Sequence, residues 1–322
     1  MKTVTVIGGG TGTFVVLSGL KAFPLDLGVI VTMMDTGSST GILRDQLGVL
    51  PPGDLRQCLV ALSDASSLWR ELFLYRFDKG DLKGHNFGNI FLSALEKVSS
   101  DYQEVIDTAG FVLKTKGVVF PVTFEQAHIC VRYETGEVVK EEENIDSNAK
   151  EKSRIVDAYI EPQVKPNPRA IERIEKSDVI IIGPGDIYTS IVPVLATPGI
   201  SKAMKKTKAQ IVFVMNLMTK AGQTTGYTAG DHLVDIEKYL GRRVDTVIMN
   251  NQPIPEFIHH WYVDHEEKEV INDLTGSKLL KVIEAAIIED VPHGQRKGDM
   301  LMRSILRHNP QKLAKVIYES MR

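Results

Sequence analysis

Five short stretches carry residue types able to grip an anion or a sugar. Gly8-Gly9-Gly10-Thr11-Gly12-Thr13 follows a β-branched run and precedes a helical pattern. Glycines let a backbone turn sharply and approach a ligand, and the unpaired N–H groups that open a helix favour negative charge. A phosphate is therefore expected on Gly9, Gly10, Thr11, Gly12 and Thr13. The stretch lacks the Lys-Ser/Thr ending of a P-loop, so nucleotide hydrolysis of that kind is not expected. Asp35-Thr36-Gly37-Ser38-Ser39-Thr40-Gly41-Ile42-Leu43-Arg44 comes next. Asp35 stands where a dinucleotide fold puts an acid on a ribose hydroxyl, which keeps a nicotinamide reading open. Ser38, Ser39 and Arg44 add hydroxyls and a guanidinium, which suit a second phosphate or a sugar. The plain alternative is a surface loop capped by Asp35.

Three further stretches extend the set. Pro51-Pro52-Gly53-Asp54-Leu55-Arg56 opens a helix, with Asp54 either an N-cap or a ligand contact. Arg56 falls in the first helical turn, where a cation opposes the dipole, and that points it toward an acidic ligand. Gly84-His85-Asn86-Phe87-Gly88-Asn89 offers His85, Asn86 and Asn89, with capping as the plain role for Asn86. Gly183-Pro184-Gly185-Asp186-Ile187-Tyr188-Thr189-Ser190 repeats the strand–glycine–helix arrangement, so Gly183, Gly185, Asp186, Tyr188, Thr189 and Ser190 are candidates. Asn216 ends the strand after it. His259, His260 and His265 match no standard ligand spacing, and no metal site is expected. No catalytic residue can be assigned from these stretches.

The elements that must hold these loops are legible around them. Lys2 to Ile7, Gly28 to Met34, Val179 to Ile182, Gln210 to Met215, Thr246 to Met249 and Val282 to Ile288 are apolar runs of strand length. Their continuous hydrophobicity fits a parallel sheet buried on both faces. Helical patterning fills Thr13 to Phe23, Asp54 to Leu113, Asp231 to Leu240, Asp299 to Arg307 and Pro310 to Met321. Residues 117–162 read as a β-rich insertion. Within it Ile129 to Tyr133 and Glu137 to Lys140 form a hairpin, and Glu141 to Glu143 a solvated edge. The expected fold is α/β: one Rossmann-like, doubly wound, mostly parallel domain over 1–322 carrying that insertion. Ligands of such sheets collect at the carboxyl ends of the strands, where the first, second and last of the five stretches fall.

Composition narrows the classes. The 322 residues include 38 basic and 41 acidic side chains, a formal charge of −3, which argues against a nucleic-acid binder that neutralises phosphates. With 43% hydrophobic and 25% charged residues there is ample core. Cys58 and Cys130 are the only cysteines, which excludes a disulfide framework and favours a reducing compartment. No apolar stretch is long enough to span a bilayer, and the chain enters its first strand without a leader. A cytoplasmic location is expected.

Taken together, GGGTGT, DTGSSTGILR, PPGDLR, GHNFGN and GPGDIYTSI resemble the YvcK-type gluconeogenesis factors over nearly the whole chain. These share a superfamily with the phospholactate transferases of deazaflavin cofactor synthesis. The resemblance implies a UDP-sugar ligand, no required cofactor, a regulatory role in growth and cell shape on gluconeogenic carbon, and unidentified protein partners. A homodimer is compatible with it. The transferase branch implies instead a phosphorus-containing group moved from a nucleotide donor, with Mg²⁺ assisting. Thr36 stands where the gluconeogenesis factors commonly have a second aspartate, and Ser38 and Ser39 where the transferases carry acids. Mg²⁺ prefers carboxylate oxygens, so these hydroxyls disfavour the transferase. Asp35, Asp54 and Asp186 could supply a metal from separate loops.

Overall fold

The structure, a computed structural model, describes residues 1–274, 280–290 and 304–321. Among the described residues ten strands follow one another: β1 Lys2–Gly8, β2 Leu25–Val31, β3 Val118–Pro121, β4 His128–Tyr133, β5 Val138–Lys140, β6 Ile155–Glu161, β7 Val179–Ile182, β8 Gln210–Val214, β9 Thr246–Asn250 and β10 Lys281–Ala285. Seven form one sheet in the order β10-β9-β8-β7-β1-β2-β3, with every pairing parallel.

Alternation along these strands explains the sheet. Val4 and Val6 enter one apolar cluster and Ile7 the other, just as Ile181 and Ile180 divide between the two. Both faces are thus covered, which is why the strands read as unbroken apolar runs. Each fully buried valine or isoleucine of this kind contributes about 1.5–3 kcal/mol relative to exposure.

Strand order fixes where a ligand can sit. From β1 the chain runs outward through β2 to β3, then returns to β7 on the other side of β1 and continues outward to β10. The loops after β1 and β7 therefore leave in opposite directions and open a crevice at the carboxyl edge.

Several boundaries shift from the sequence reading. β2 is Leu25–Val31 rather than Gly28 to Met34, because pairing with β1 stops at the Gly8–Val31 register and the chain then turns toward the crevice. The first helix is Gly10–Leu20, so it begins inside the glycine loop itself. Of the stretch 117–162, Val118–Pro121 belongs to the large sheet as an edge strand on β2. The remainder makes a separate antiparallel sheet, β5-β4-β6. Of the expected helix Asp299 to Arg307, residues 299–303 lie outside the described residues; 304–307 are not helical and run beside 287–289 through the Ile288–His308 bridge. Among the described residues no helix is long and apolar enough to cross a membrane.

Candidate functional site

A cleft of about 290 Å³ occupies the crevice between the loops after β1 and β7. Gly9, Gly10, Thr11 and Gly12 line one side and Gly185, Asp186 and Ser190 the other. Gly12 must be glycine: a Cβ there would lie 2.0 Å from the Pro184 carbonyl oxygen. The missing side chain is what lets the two loops meet.

Carboxylates lock the loops by accepting backbone N–H groups. Asp54, in the first turn of the helix Gly53–Leu62, does not cap that helix; its Oδ1 accepts from Gly10 N at 2.8 Å. Asp35 Oδ1 accepts from Gly37 N at 2.9 Å, and its other oxygen lies where a Cβ on Gly53 would be, at 2.1 Å. The Asp54 bond joins the first and third stretches, and the packing of Asp35 against Gly53 brings in the second; a hydrogen bond of this kind is worth roughly 1.5–3 kcal/mol when the acceptor is charged.

A second layer steadies the floor. Arg56 is buried, donating from Nε to Asn89 Oδ1 at 2.8 Å and from Nη1 to the Phe73 carbonyl at 3.3 Å. Ser39 Oγ accepts from Asn86 N at 3.2 Å and lies 3.2 Å from His85 Nδ1. Asn86 caps the helix Phe87–Val98 by accepting from Asn89 N. Asn216 forms a reciprocal pair with the Gly185 backbone, donating at 2.9 Å and accepting at 3.2 Å. It lines the cleft as a brace for the third glycine loop.

The structure does not bring every expected residue to the cleft. Gly9, Gly10, Thr11, Gly12, Asp35, Ser39, Asp54, Arg56, Asn89, Gly185, Asp186, Ser190 and Asn216 line it. Thr13 is fully buried beneath the loop, against Gly8. Arg44 turns to its neighbour Asp45, with Nη2 2.8 Å from the carboxylate. His85, Asn86 and Gly183 stand behind the lining. Tyr188 and Thr189 lie in a π-helical turn, Ile187–Ile191, behind the lining: the Tyr188 hydroxyl donates to Asp235 at 2.5 Å, and Thr189 donates to the cleft-lining Asp146 at 3.3 Å. Ser38 begins the helix Ser38–Leu47.

The main addition comes from the small sheet. The acidic run expected at a solvated edge instead starts the helix Glu142–Ser147, which docks on the second glycine loop. Thr36 N donates to Glu142 Oε2 at 3.1 Å, and Glu143 N donates back to Thr36 Oγ1 at 3.0 Å. Glu142 and Asp146 thus enter the cleft wall. Burial, then the charges of Asp35, Asp146 and Asp54, push the Glu142 carboxyl well above the usual range, and its hydrogen bond with Asp35 acts in the same direction. Burial and the Asp186 charge push Asp146 up to about 7, against the pull of Lys220 and the Thr189 hydroxyl. Lys220, also in the wall, pairs with Glu267 at 3.3 Å. Burial lowers its pKa, but Asp186, Glu267 and Asp146 outweigh that and hold it above the ordinary lysine value.

A cleft at a strand-order reversal, lined by residues of three glycine loops, defines a doubly wound α/β protein with a ligand-sized crevice at the carboxyl edge of its parallel sheet. Comparison gives the family. The 2-phospho-L-lactate transferase CofD model matches residues 4–288, and the chain belongs to that family. It is 37% identical to a gluconeogenesis factor of Halalkalibacterium halodurans, over 99% of this chain and 96% of the relative. It is 36% identical to the gluconeogenesis factor of Bacillus subtilis, over 99% of this chain and 98% of the relative. The crystal structure of a UPF0052 family member from Bacillus halodurans superposes with a TM-score of 0.88 at 35% identity, covering 98% and 99% of the two chains.

Proposed function

We propose that the cleft binds a UDP-sugar and that the chain acts as a cytoplasmic regulator supporting growth and cell shape on gluconeogenic carbon, its occupancy altering contacts with partner proteins. The relatives named gluconeogenesis factors support the role. One observation carries the ligand class: glycine loops after two adjacent strands, β1 and β7, face each other across a single cleft, with carboxylates fixing their backbone and Arg56, Arg76, Lys220 and Arg307 also in its lining. Such a wall suits a pyrophosphate held by many main-chain donors. Glu142, held toward its neutral form, lessens the negative charge that a pyrophosphate meets.

Calorimetry with UDP-glucose, GDP-mannose, ADP-glucose and free glucose tests this reading. UDP-glucose binding at least about tenfold tighter than the other nucleotide sugars is expected, with free glucose silent. Equal response to all four would sink it.

The second reading, transfer of a phosphorus-containing group, draws support from the family's transferase. Asp35, Asp54 and Asp186 line the cleft and are the residues that would hold the Mg²⁺ of that chemistry, as one or two carboxylates beside substrate phosphates. Among the described residues no three carboxylate, imidazole or thiolate groups converge to hold a metal. Asp54 and Asp35 already accept backbone N–H groups, and Glu142 favours its neutral form. Phosphorus NMR of UDP-glucose or a GDP donor, with Mg²⁺ and candidate hydroxyl acceptors, is expected to show no donor turnover. Turnover abolished by Asp54→Asn would establish the transferase instead.

A further inference from the structure

The carboxyl edge of the large sheet holds the cleft; the amino edge, at the far end of the same strands, is basic. In a parallel sheet the segments that enter neighbouring strands start side by side, and neighbouring strands lie about 4.8 Å apart. Lys208 precedes β8, Arg243 precedes β9 and Lys281 opens β10. Arg242 ties the first two segments together, donating from Nη1 to the Thr207 carbonyl at 3.0 Å and to the Ala209 carbonyl at 3.4 Å. The Lys281 N–H donates to the Asp245 carbonyl at 3.0 Å, which joins the third. The helix Ile200–Lys206 adds Lys202, Lys205 and Lys206 directly ahead of Lys208.

Lys202, Lys205, Lys206, Lys208, Arg243 and Lys281 are all exposed, and none has an ion pair or a side-chain hydrogen bond among the described residues. Acids on the same edge are already occupied. Asp245 pairs with Arg242 at 3.2 Å and accepts from Ile211 N at 2.7 Å. Glu237 accepts from Val244 N at 2.9 Å and Asp178 from Thr3 N at 2.7 Å. Glu175 marks the β7 end of the patch, next to Ile174, whose carbonyl accepts from the Thr207 hydroxyl. The helix dipole accounts for Lys205 and Lys206 in a last turn, but Lys202 stands in the first turn, where a cation opposes it. Exposed charges within a Debye length of about 8 Å repel one another, so folding gains nothing from gathering them. The chain as a whole carries a formal −3, which makes this edge its exception.

We propose that this amino edge is a docking surface for an acidic segment of a partner protein, whose carboxylates sit against Lys206, Lys208, Arg243 and Lys281. Charge complementarity carries the choice of occupant. None of the exposed large apolar side chains falls in 200–208, 241–246 or 280–285, so the patch has nothing to bury in a bilayer or to stack on a base. Lysines predominate in it, and a flexible point charge suits carboxylates, whereas phosphate and base recognition favours the planar fork of arginine. The surface gives a place to the partner contacts of the regulatory reading, and it stands whether or not the cleft takes a UDP-sugar.

The full chain is tested by fluorescence anisotropy with labelled decaglutamate, decaglutamine and decathymidylate, and by flotation with phosphatidylglycerol vesicles. Decaglutamate is expected to bind, more weakly as salt rises, with decaglutamine silent. Lys206→Glu/Lys208→Glu/Arg243→Glu is expected to weaken that binding about tenfold or more. Lys79→Glu/Lys97→Glu/Lys315→Glu makes the same change in net charge at exposed lysines elsewhere, and should weaken it by no more than about twofold. Where the first variant does not fold, Lys206→Gln/Lys208→Gln/Arg243→Gln replaces it, with a loss of about fivefold expected. The denaturant midpoint of this neutral variant should match or exceed that of wild type, since like-charge repulsion is relieved. No binding of decaglutamate, equal losses in the two charge reversals, or a marked fall in that midpoint would overturn the proposal. So would tighter binding of decathymidylate, or vesicle binding that the first variant abolishes, either of which assigns the edge to another class of partner. Titration with UDP-glucose is expected to be the same in every variant, so failure at this edge leaves the cleft reading intact.

Discussion

Two walls of one cleft are built on opposite electrostatic logic. In the glycine-loop wall, Asp54 and Asp35 are fixed by backbone N–H donors from Gly10 and Gly37. In the wall from the small sheet, Glu142 and Asp146 face other carboxylates, and burial raises both. The same side-chain chemistry therefore serves as a clasp for backbone N–H groups on one side and as a surface of buried carboxyls with raised pKa on the other. Environment rather than residue type assigns the role.

The sharpest way to break the first wall is Gly12→Ala. Its Cβ would collide with a backbone carbonyl that has no rotamer to escape into, so a loss of about 3 kcal/mol in denaturant unfolding is expected, together with loss of UDP binding. Unchanged stability would show that the loops do not meet as described. Next comes Asp54→Ala, which leaves Gly10 N without its charged acceptor and is expected to cost about 2 kcal/mol in the same measurement.

The second wall predicts a pH effect of definite sign. A carboxyl whose folded pKa is raised binds more protons folded than unfolded, so its contribution to stability falls as pH rises between its unfolded value and its folded one. For Asp146 that window runs from about 4 to about 7. Denaturant midpoints of wild type and Asp146→Asn at pH 5 and pH 7.5 should therefore shift in the variant's favour at the higher pH. A gap that does not move would mean that Asp146 titrates normally.

Smaller effects sharpen the contrast. Glu142→Gln keeps the shape and the neutral form, and is expected to stay within about 0.5 kcal/mol of wild type at pH 7, unlike Asp54→Ala. Arg44→Ala removes a side chain that pairs with Asp45 outside the cleft. UDP affinity should change by no more than about twofold in calorimetry. A large loss would return Arg44 to the site.

Much of the first wall was legible because its signals are local. Gly9 to Gly12, Gly185 and Ser190 follow apolar strands directly, and a parallel sheet delivers the ends of its strands to one edge. Tyr188 and Thr189 adjoin Ser190 in sequence, but of the three only Ser190 lines the cleft, a distinction that adjacency along the chain does not carry. Glu142 was hidden inside a run of acids, whose composition reads as solvent-exposed. The one clue was Ile145, a lone apolar residue in that stretch, which proves fully buried. The pairing of Lys220 with Glu267 spans two loops, a contact that no local pattern records.

The amino-acid order by itself determined the strands, the glycine turns that end them and the edge on which they gather, since periodicity and backbone freedom act between near neighbours. Tertiary structure alone decided which acids share that edge and which of them burial pushes toward higher pKa. Thr36 and Glu142 meet across 106 residues of chain. Desolvation and like-charge proximity depend on distance through space, which no pattern along the chain records.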